Sequence, residues 1–352
     1  MTSHAEFSAT TAATEVAGAF KAQIKGRNVV VTGVSPGGIG AATATAIASQ
    51  QPASLILASR NQSNLASVVA EIKEKFPSIS VNTVILDLSS IDSIKSAAAQ
   101  ITSLVDHIDV LINNAGITLQ SRSPVVTPGG ITVDLQLFTN HVGTFLFTSL
   151  LLPKITAAAS RGGARGSVRV VNVSSLGHRL SPIRFSDYAF EKDMYEGVPE
   201  SEQPPKPLPA GFLQVKGDYP GFLGYGQSKT ANILHAFELT RRLQAKGDDV
   251  FALSVHPGTI NTGLSRSLDD QARATLDGTA PSGVWKTLDQ GAATTMVAAF
   301  DPKLSEGDIT SAPKFLSDCQ LADERMAPHT RDLDAARRLW AESEKMLGIQ
   351  CL

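Results

Sequence analysis

Cysteine is almost missing from this chain: Cys319 and Cys351 are the only two in 352 residues, far apart and in no C-x-x-C pair. Neither a disulfide framework nor a thiolate metal site can organise such a sequence, and a reducing compartment suits it. An excess of one charge is missing too. Lys and Arg number 31 against 33 Asp and Glu, a formal charge of -2, which excludes polycationic binding to nucleic acid or a membrane surface as the main activity. The seven His are scattered, with no H-E-x-x-H or equivalent cluster, so metal hydrolysis has no support and no metal ligand is assigned.

Targeting signals are equally sparse. The first 25 residues are rich in Ala, Ser and Thr but lack a basic n-region and a continuous apolar run, so they do not read as a signal peptide. The most apolar stretch, Val142 to Leu152, is interrupted by Thr144, Thr148 and Ser149 and closed by Pro153, well short of the ~20 residues that span a bilayer. It reads as a buried helix rather than a transmembrane segment. Cys351 is penultimate and does not satisfy a C-a-a-X prenylation signal. The expected address is cytoplasmic.

What the chain has is core. Hydrophobic residues make up 42% and charged residues 18%, while Gly 28 and Pro 18 are ordinary. From Asn28 onward, short β-branched runs alternate with longer helical patterns, which predicts a parallel sheet flanked by helices. The strands are placed at Asn28 to Thr32, Ser54 to Ser59, Val81 to Leu86, Asp109 to Asn113, Ser167 to Ser174 and Val250 to His256. Several are apolar almost throughout, as in a sheet covered on both faces. Helical spacing runs over Gly40 to Gln50, Asn64 to Phe76, Ile91 to Val105, Thr132 to Thr156 and Tyr225 to Ala245. The fold class is therefore α/β, a single doubly wound parallel sheet of Rossmann type.

One segment breaks the rhythm. Residues 179 to 223 are rich in Pro, Gly, aromatic and charged residues and include Gln203-Pro204-Pro205-Lys206-Pro207-Leu208-Pro209, through which neither helix nor strand can continue. A stretch this long is functional or disordered. The organisation expected is a flexible N-terminal arm over residues 1 to 25 and one catalytic domain over residues 26 to 352 carrying this long insertion.

The first strand leads into Gly33-Val34-Ser35-Pro36-Gly37-Gly38-Ile39-Gly40. Glycines there let the backbone turn sharply and approach a pyrophosphate, and the following helix aims unpaired N–H groups and its positive dipole end at the anion. A plain glycine-rich turn is the alternative, and the position directly after the first strand favours the nucleotide reading. The same residues match the G-x-S-x-G elbow of serine hydrolases. A hydrolase elbow follows several strands, whereas almost nothing precedes this one. At the end of the second strand, where an acidic residue would bind the 2′-hydroxyl of NAD, the chain has Ala58-Ser59-Arg60. A guanidinium forks onto phosphate, so NADP(H) is the expected cofactor. Asp87, ending the third strand, is placed either to meet the adenine edge or to cap the next helix.

Thr32-Gly33 with Gly38-Ile39-Gly40, Asn113-Asn114-Ala115-Gly116, Asn140, Ser174-Ser175 and Tyr225-Gly226-Gln227-Ser228-Lys229 occur in the order that resembles the short-chain dehydrogenase/reductase family. Within it, Asn140-His141-Val142-Gly143, Val171-Asn172-Val173-Ser174-Ser175 and Lys314-Phe315-Leu316-Ser317-Asp318-Cys319 look like the retinol dehydrogenase and WW-domain oxidoreductase branch. The resemblance runs from about Arg27 to about Gly348. It implies Tyr225 as general acid in reduction, Lys229 as the cation that stabilises its anion and holds the nicotinamide ribose, Ser175 as the hydroxyl orienting the carbonyl, and Asn140 as holder of a relay water. The cofactor contacts it implies are Gly33, Ser35, Gly38, Ile39, Gly40, Asn114, Ala115, Gly116, Tyr225 and Lys229, with Ile260 and Thr262 on the nicotinamide side. The types make chemical sense: Tyr225 and Lys229 share a helix face, and a phenol of pKa ~10 needs a nearby cation to exchange protons at neutral pH.

Two departures stand out against the family pattern. The turn between Gly33 and Gly38 is one residue longer, which unsettles the contacts of Ser35 and Gly37. Ser175 and Tyr225 lie 50 apart, where about a dozen is usual, so the extra residues loop out at the ligand edge of the sheet and are expected to form a substrate lid, with Phe185, Tyr188, Phe190, Tyr195, Phe212, Tyr219 and Phe222 as its apolar inner face. The function expected is an oxidoreductase interconverting a carbonyl and an alcohol on a small, mostly apolar substrate. Two alternatives are a non-catalytic NADP-sensing regulator, which would not need a proton-transfer set, and a nucleotide-sugar epimerase, against which Asn113 to Gly116 weighs. A homodimer through the helices at Thr132 to Thr156 and Tyr225 to Ala245 is the pairing the family suggests.

Overall fold

Strands of nearly unbroken apolar character need cover on both faces, and the fold supplies it. The structure is a computed structural model describing residues 2–280 and 283–352. Its strands are β1 (Asn28–Thr32), β2 (Ser54–Ser59), β3 (Val81–Ile85), β4 (Val110–Asn113), β5 (Pro124–Val126), β6 (Thr132–Asp134), β7 (Val168–Val173), β8 (Val250–His256), β9 (Phe315–Ser317) and β10 (Gln320–Leu321). The main sheet runs β3-β2-β1-β4-β7-β8-β9-β10. All neighbours pair parallel except β10, which returns antiparallel on β9. The order reverses between β1 and β4, which places a crevice at their C-terminal ends.

The helices are α1 (Ala13–Ala19), α2 (Lys21–Ile24), α3 (Ile39–Ala48), α4 (Gln62–Lys75), α5 (Ile91–Leu104), α6 (Leu135–Leu137), α7 (Gly143–Ser160), α8 (Gly221–Ala245), α9 (Asp270–Asp277), α10 (Leu288–Phe300) and α11 (Leu333–Leu347). Local chemistry marks their ends. Asn61 and Ser90 cap α4 and α5 through their side chains, Thr287 and Gln290 form a reciprocal capping box on α10, and Gly348 closes α11 in the left-handed region. One core packs α5, α7, α8 and α11 against the sheet, and a second packs α1, α3, α4 and α10 against the opposite face.

Three sequence expectations change. The expected flexible arm is packed over its described residues, 2 to 25: Phe7, Val16, Phe20 and Ile24 are buried in the second core, and Ser3 binds Asp301 through its backbone N–H at 2.7 Å. The Ala, Ser and Thr background conceals four apolar residues whose burial is worth ~1.5–3 kcal/mol each. The stretch from Thr132 starts as β6 in a hairpin with β5, passes through α6 and a π-helical turn over Phe138–Val142, and continues as α7 beyond Pro153 to Ser160. Leu135–Ser160 is long and apolar enough to cross a membrane by length and composition, yet most of it is inside the domain, with Phe145, Phe147, Leu151 and Ile155 fully buried. The insertion is ordered too. Leu180, Phe190, Tyr219, Phe222 and Leu223 bury against Ala272 of α9, with Phe212 and Leu268 alongside.

Much of the surface expected to form a homodimer, along α8 and the start of α7, is covered within this chain by α11. α11 lies along α8 and reaches the π-helical turn and the start of α7: Trp340 packs edge-on to Phe145 at 4.8 Å, His141 Nε2 meets Ser343 Oγ at 2.7 Å, and Arg242 sits 4.6 Å over the Trp340 ring. A homodimer through these helices would have to displace α11. The full chain is accordingly expected to run as a monomer in light scattering at micromolar concentration, and a dimer whose contacts map to α7 and α8 would contradict this.

Four buried histidines make the fold acid-sensitive. Burial lowers His178 and His235 to about 4 and His256 to about 3, and holds His141 well below its ordinary value. Unfolding returns each to ~6.5, so below that pH the unfolded state binds protons the folded state refuses, at ~1.4 kcal/mol per pH unit for each group. Asp134, raised by burial to about 6, works in the opposite sense between 6 and 4 but is one group against four. The melting temperature should fall steadily from pH 7 to pH 5, and a flat profile would disprove this account.

Candidate active site

Where β1 and β4 end side by side, the two backbones nearly touch. Asn114 Nδ2 donates to Thr32 O at 2.8 Å, and the N–H groups of Asn114 and Ala115 both donate to Thr32 Oγ1 at 3.1 Å. Gly33 has φ +72°, and a Cβ there would stand 2.6 Å from Ala115 Cα. Only glycine satisfies both conditions. A Cβ on Gly40 would likewise meet Gly33 O at 2.7 Å, so Gly40 lies beneath the turn and lets α3 approach β1. Gly37, also at positive φ, absorbs the additional residue of the turn. The N–H groups opening α3 therefore face a cleft of about 750 Å³.

That cleft collects most of the predicted contacts. Gly33, Ser35, Gly38, Ile39, Arg60, Asn114, Ala115, Gly116, Tyr225, Lys229 and Thr262 line it. Five predicted residues do not: Gly40, which lies beneath the turn, Ser175, which reaches the cleft only through its hydrogen bond with Tyr225, and Asp87, Ile260 and Asn140. The Asp87 carboxylate turns to the backbone and hydroxyl of Ser89 at 2.9 and 2.6 Å, closing the turn before α5, while its neighbours Leu86 and Leu88 line the cleft. Ile260 packs against Gly291 of α10, where a Cβ would meet it at 2.6 Å. Asn140 lies behind the wall. Its side chain accepts from Ile117 N at 2.8 Å and donates to Ile117 O and Ser228 Oγ, both at 2.9 Å, so it clamps the backbone beyond Gly116.

The far half of the cleft was not legible from motifs. Thr118, Leu119, Leu135, Thr139, Leu264 and Arg266 complete it, and no aromatic residue of the insertion does. The expected apolar inner face of a lid is buried elsewhere instead: Phe190, Tyr219 and Phe222 pack in a cluster with Ala272 of α9, and Tyr188 and Phe185 pack against the core around α7 and α8.

The residues expected to handle the proton come together on one side of the cleft. α8 carries Tyr225 and Lys229 one turn apart, and the Lys229 ammonium lies 5.4 Å from the Tyr225 ring centre while donating to Val173 O at 3.0 Å. Burial alone lowers Lys229 to about 8. Burial raises Tyr225 to about 12, opposed by a hydrogen bond with Ser175. Ser175 sits at the end of β7, where its Oγ accepts from Gly177 N at 3.0 Å. Ser174 is the structural member of the pair, its hydroxyl donating to Lys229 O at 2.7 Å. His256 is structural as well, its Nδ1 accepting from Leu176 N at 3.2 Å.

A crevice at a sheet reversal, glycines that leave room for a pyrophosphate, Arg60 and Lys229 on the cleft wall and a Ser-Tyr-Lys set fit a dinucleotide, and define a nicotinamide-dependent oxidoreductase. The comparisons agree with this geometry. The short chain dehydrogenase family profile matches residues 27–197. Human retinol dehydrogenase 11 is 35% identical over 335 residues, covering 93% of this chain and 87% of that protein. Oxidoreductase fscI of Fusarium equiseti is 34% identical over 254 residues, covering 72% and 94%. A solved structure of an uncharacterised protein from Mycobacterium paratuberculosis superposes with TM-score 0.58 at 26% identity, covering 93% and 96%. The chain belongs to the short-chain dehydrogenase/reductase family, in its retinol dehydrogenase branch.

Gly33→Ala combines a forbidden φ with a clash against Ala115 and should cost ~1–3 kcal/mol of stability. It should also abolish the rise in melting temperature that a nicotinamide dinucleotide gives the unmodified protein; a preserved rise would show that the turn does not carry the nucleotide.

Proposed function

We propose that this protein is an NADP(H)-dependent oxidoreductase that interconverts a carbonyl and an alcohol on a small, mostly apolar substrate, working in the reducing direction in a cytoplasmic setting. The observation that carries the reading is that Tyr225, hydrogen-bonded to Ser175, and Lys229 line a cleft whose distal wall is formed by Ile117, Leu119, Leu135 and Leu264. Arg60 supports NADP over NAD: it lies on the cleft wall, and among the described residues no carboxylate lines that wall.

The nicotinamide, when bound, supplies or accepts the hydride. The chain's own residues manage the proton. At neutral pH Tyr225 is protonated, since burial holds its pKa near 12, so it is loaded to donate to a carbonyl oxygen. Ser175 orients that oxygen by a second hydrogen bond. The phenolate left behind is stabilised by the Ser175 hydroxyl and by the Lys229 ammonium. Packing leaves Lys229 only 4% exposed, which shields its ammonium from bulk water.

The test is a panel of ketones and aldehydes followed at 340 nm with NADPH and NADH. Tyr225→Phe should lower kcat by ~10²–10⁴ with NADPH binding intact, and near-normal turnover would contradict the proton-transfer role. Arg60→Asp should move preference toward NADH, and unchanged preference would place 2′-phosphate recognition elsewhere.

A further inference from the structure

Gln136 is fully buried and belongs to no part of the proton-transfer set, yet it joins three elements that frame the substrate. Its Oε1 accepts from Leu119 N at 2.8 Å. Its Nε2 donates to Tyr219 Oη at 2.6 Å and to Gly221 O at 3.1 Å. Leu119 is cleft wall, Tyr219 is the return of the insertion, and Gly221 is the first residue of α8, four before Tyr225. All three side-chain hydrogen bonds are made inside the protein, where each is costly to leave unmade.

The surroundings show that this junction is built for close approach. A Cβ on Gly221 would fall 2.5 Å from Leu119 O, and one on Gly224 would fall 2.1 Å from Tyr219 Oη. The first turn of the catalytic helix therefore touches both the substrate wall and the insertion without intervening side chains. Asp134 holds Gln136 in place through its backbone N–H at 3.0 Å. Arg122 ties the same wall segment to the insertion from outside, donating to Asp218 O at 2.7 Å and pairing with the Asp218 carboxylate at 3.0 Å.

From this we infer that Gln136 is a positioning residue for substrate recognition: it fixes the Leu119 wall at a set distance from the Tyr225 phenol, and the insertion between Ser175 and Tyr225 acts on specificity through this pin rather than by covering the substrate. Displacement of the wall changes the room beside the reacting carbonyl and leaves the nucleotide half of the cleft untouched, because that half is anchored separately at Thr32 and Asn114.

The kinetic test rests on the carbonyl-reductase reading. Gln136→Met keeps the volume and removes all three hydrogen bonds. It should raise KM for the best carbonyl substrate by about tenfold and reorder the substrate panel, with kcat and the NADPH dissociation constant changed by less than about threefold. KM and rank order unchanged while the melting temperature falls would overturn the proposal, as would KM and NADPH affinity weakening together. If Gln136→Met does not accumulate as folded protein, Tyr219→Phe removes one partner of the pin and is read the same way: a raised KM with normal NADPH affinity supports it, an unchanged KM overturns it. Amide hydrogen exchange at residues 117–122 reads the pin without turnover. An inactive unmodified protein would sink the reductase reading, and the pin would then stand or fall on whether exchange in that segment rises in the variant.

Discussion

Everything at the ligand edge depends on two backbones lying close enough to share a threonine hydroxyl. Thr32 Oγ1 receives the N–H groups of Asn114 and Ala115, and Asn114 reaches back to the carbonyls of Thr32 and Gly33. That contact joins the first strand to the fourth at the point where the sheet changes direction. It also forces glycine at position 33, since a methyl group would collide with Ala115. The nucleotide turn, the opening of α3 and the entry to the substrate half of the cleft all take their positions from it.

Behind the cleft a row of asparagines extends the same logic into the interior. Asn113 donates to Asn172 Oδ1 at 2.9 Å, Asn172 to Asn232 O at 3.1 Å, and Asn232 to Asn140 O at 2.9 Å. The last carbonyl belongs to the π-helical turn that precedes α7. Polar side chains in a dry core are tolerated only when hydrogen-bonded. Here they register β4, β7, α8 and the π turn against one another, so Lys229 and Ser175 rest on a polar scaffold rather than on interchangeable apolar contacts.

The parallel strands were legible because each is a short apolar run bounded by turn residues, and β1, β2 and β8 fall where alternation and β-branching put them. The nucleotide turn and the Tyr225 and Lys229 pair were legible because their chemistry is local in sequence. Asp87 and Ile260 were not: whether a residue beside a cleft faces inward depends on a rotamer and on a neighbour such as Ser89 or Gly291 that is distant or plays no part in a motif. The N-terminal segment was misread for a compositional reason, four apolar residues hidden among small ones. The insertion was misread because its aromatic content signals burial without saying against which partner. Gln136 carries no motif at all, and its role follows only from three contacts spanning 17 to 85 positions.

The N-terminal segment has a consequence for how the chain is made. Ser3 is bound to Asp301, and the carbonyls of His4 and Phe7 accept from Gln320 Nε2 across 316 and 313 positions. The apolar side chains of this segment therefore find cover only against residues about 300 positions further along the chain. Closure of contacts this distant in sequence is slow, and apolar surface left open during synthesis invites aggregation. The Ala, Ser and Thr content of this segment keeps that exposed surface sparse, so a composition that looks like indifference to structure suits a segment whose partners lie about 300 residues away.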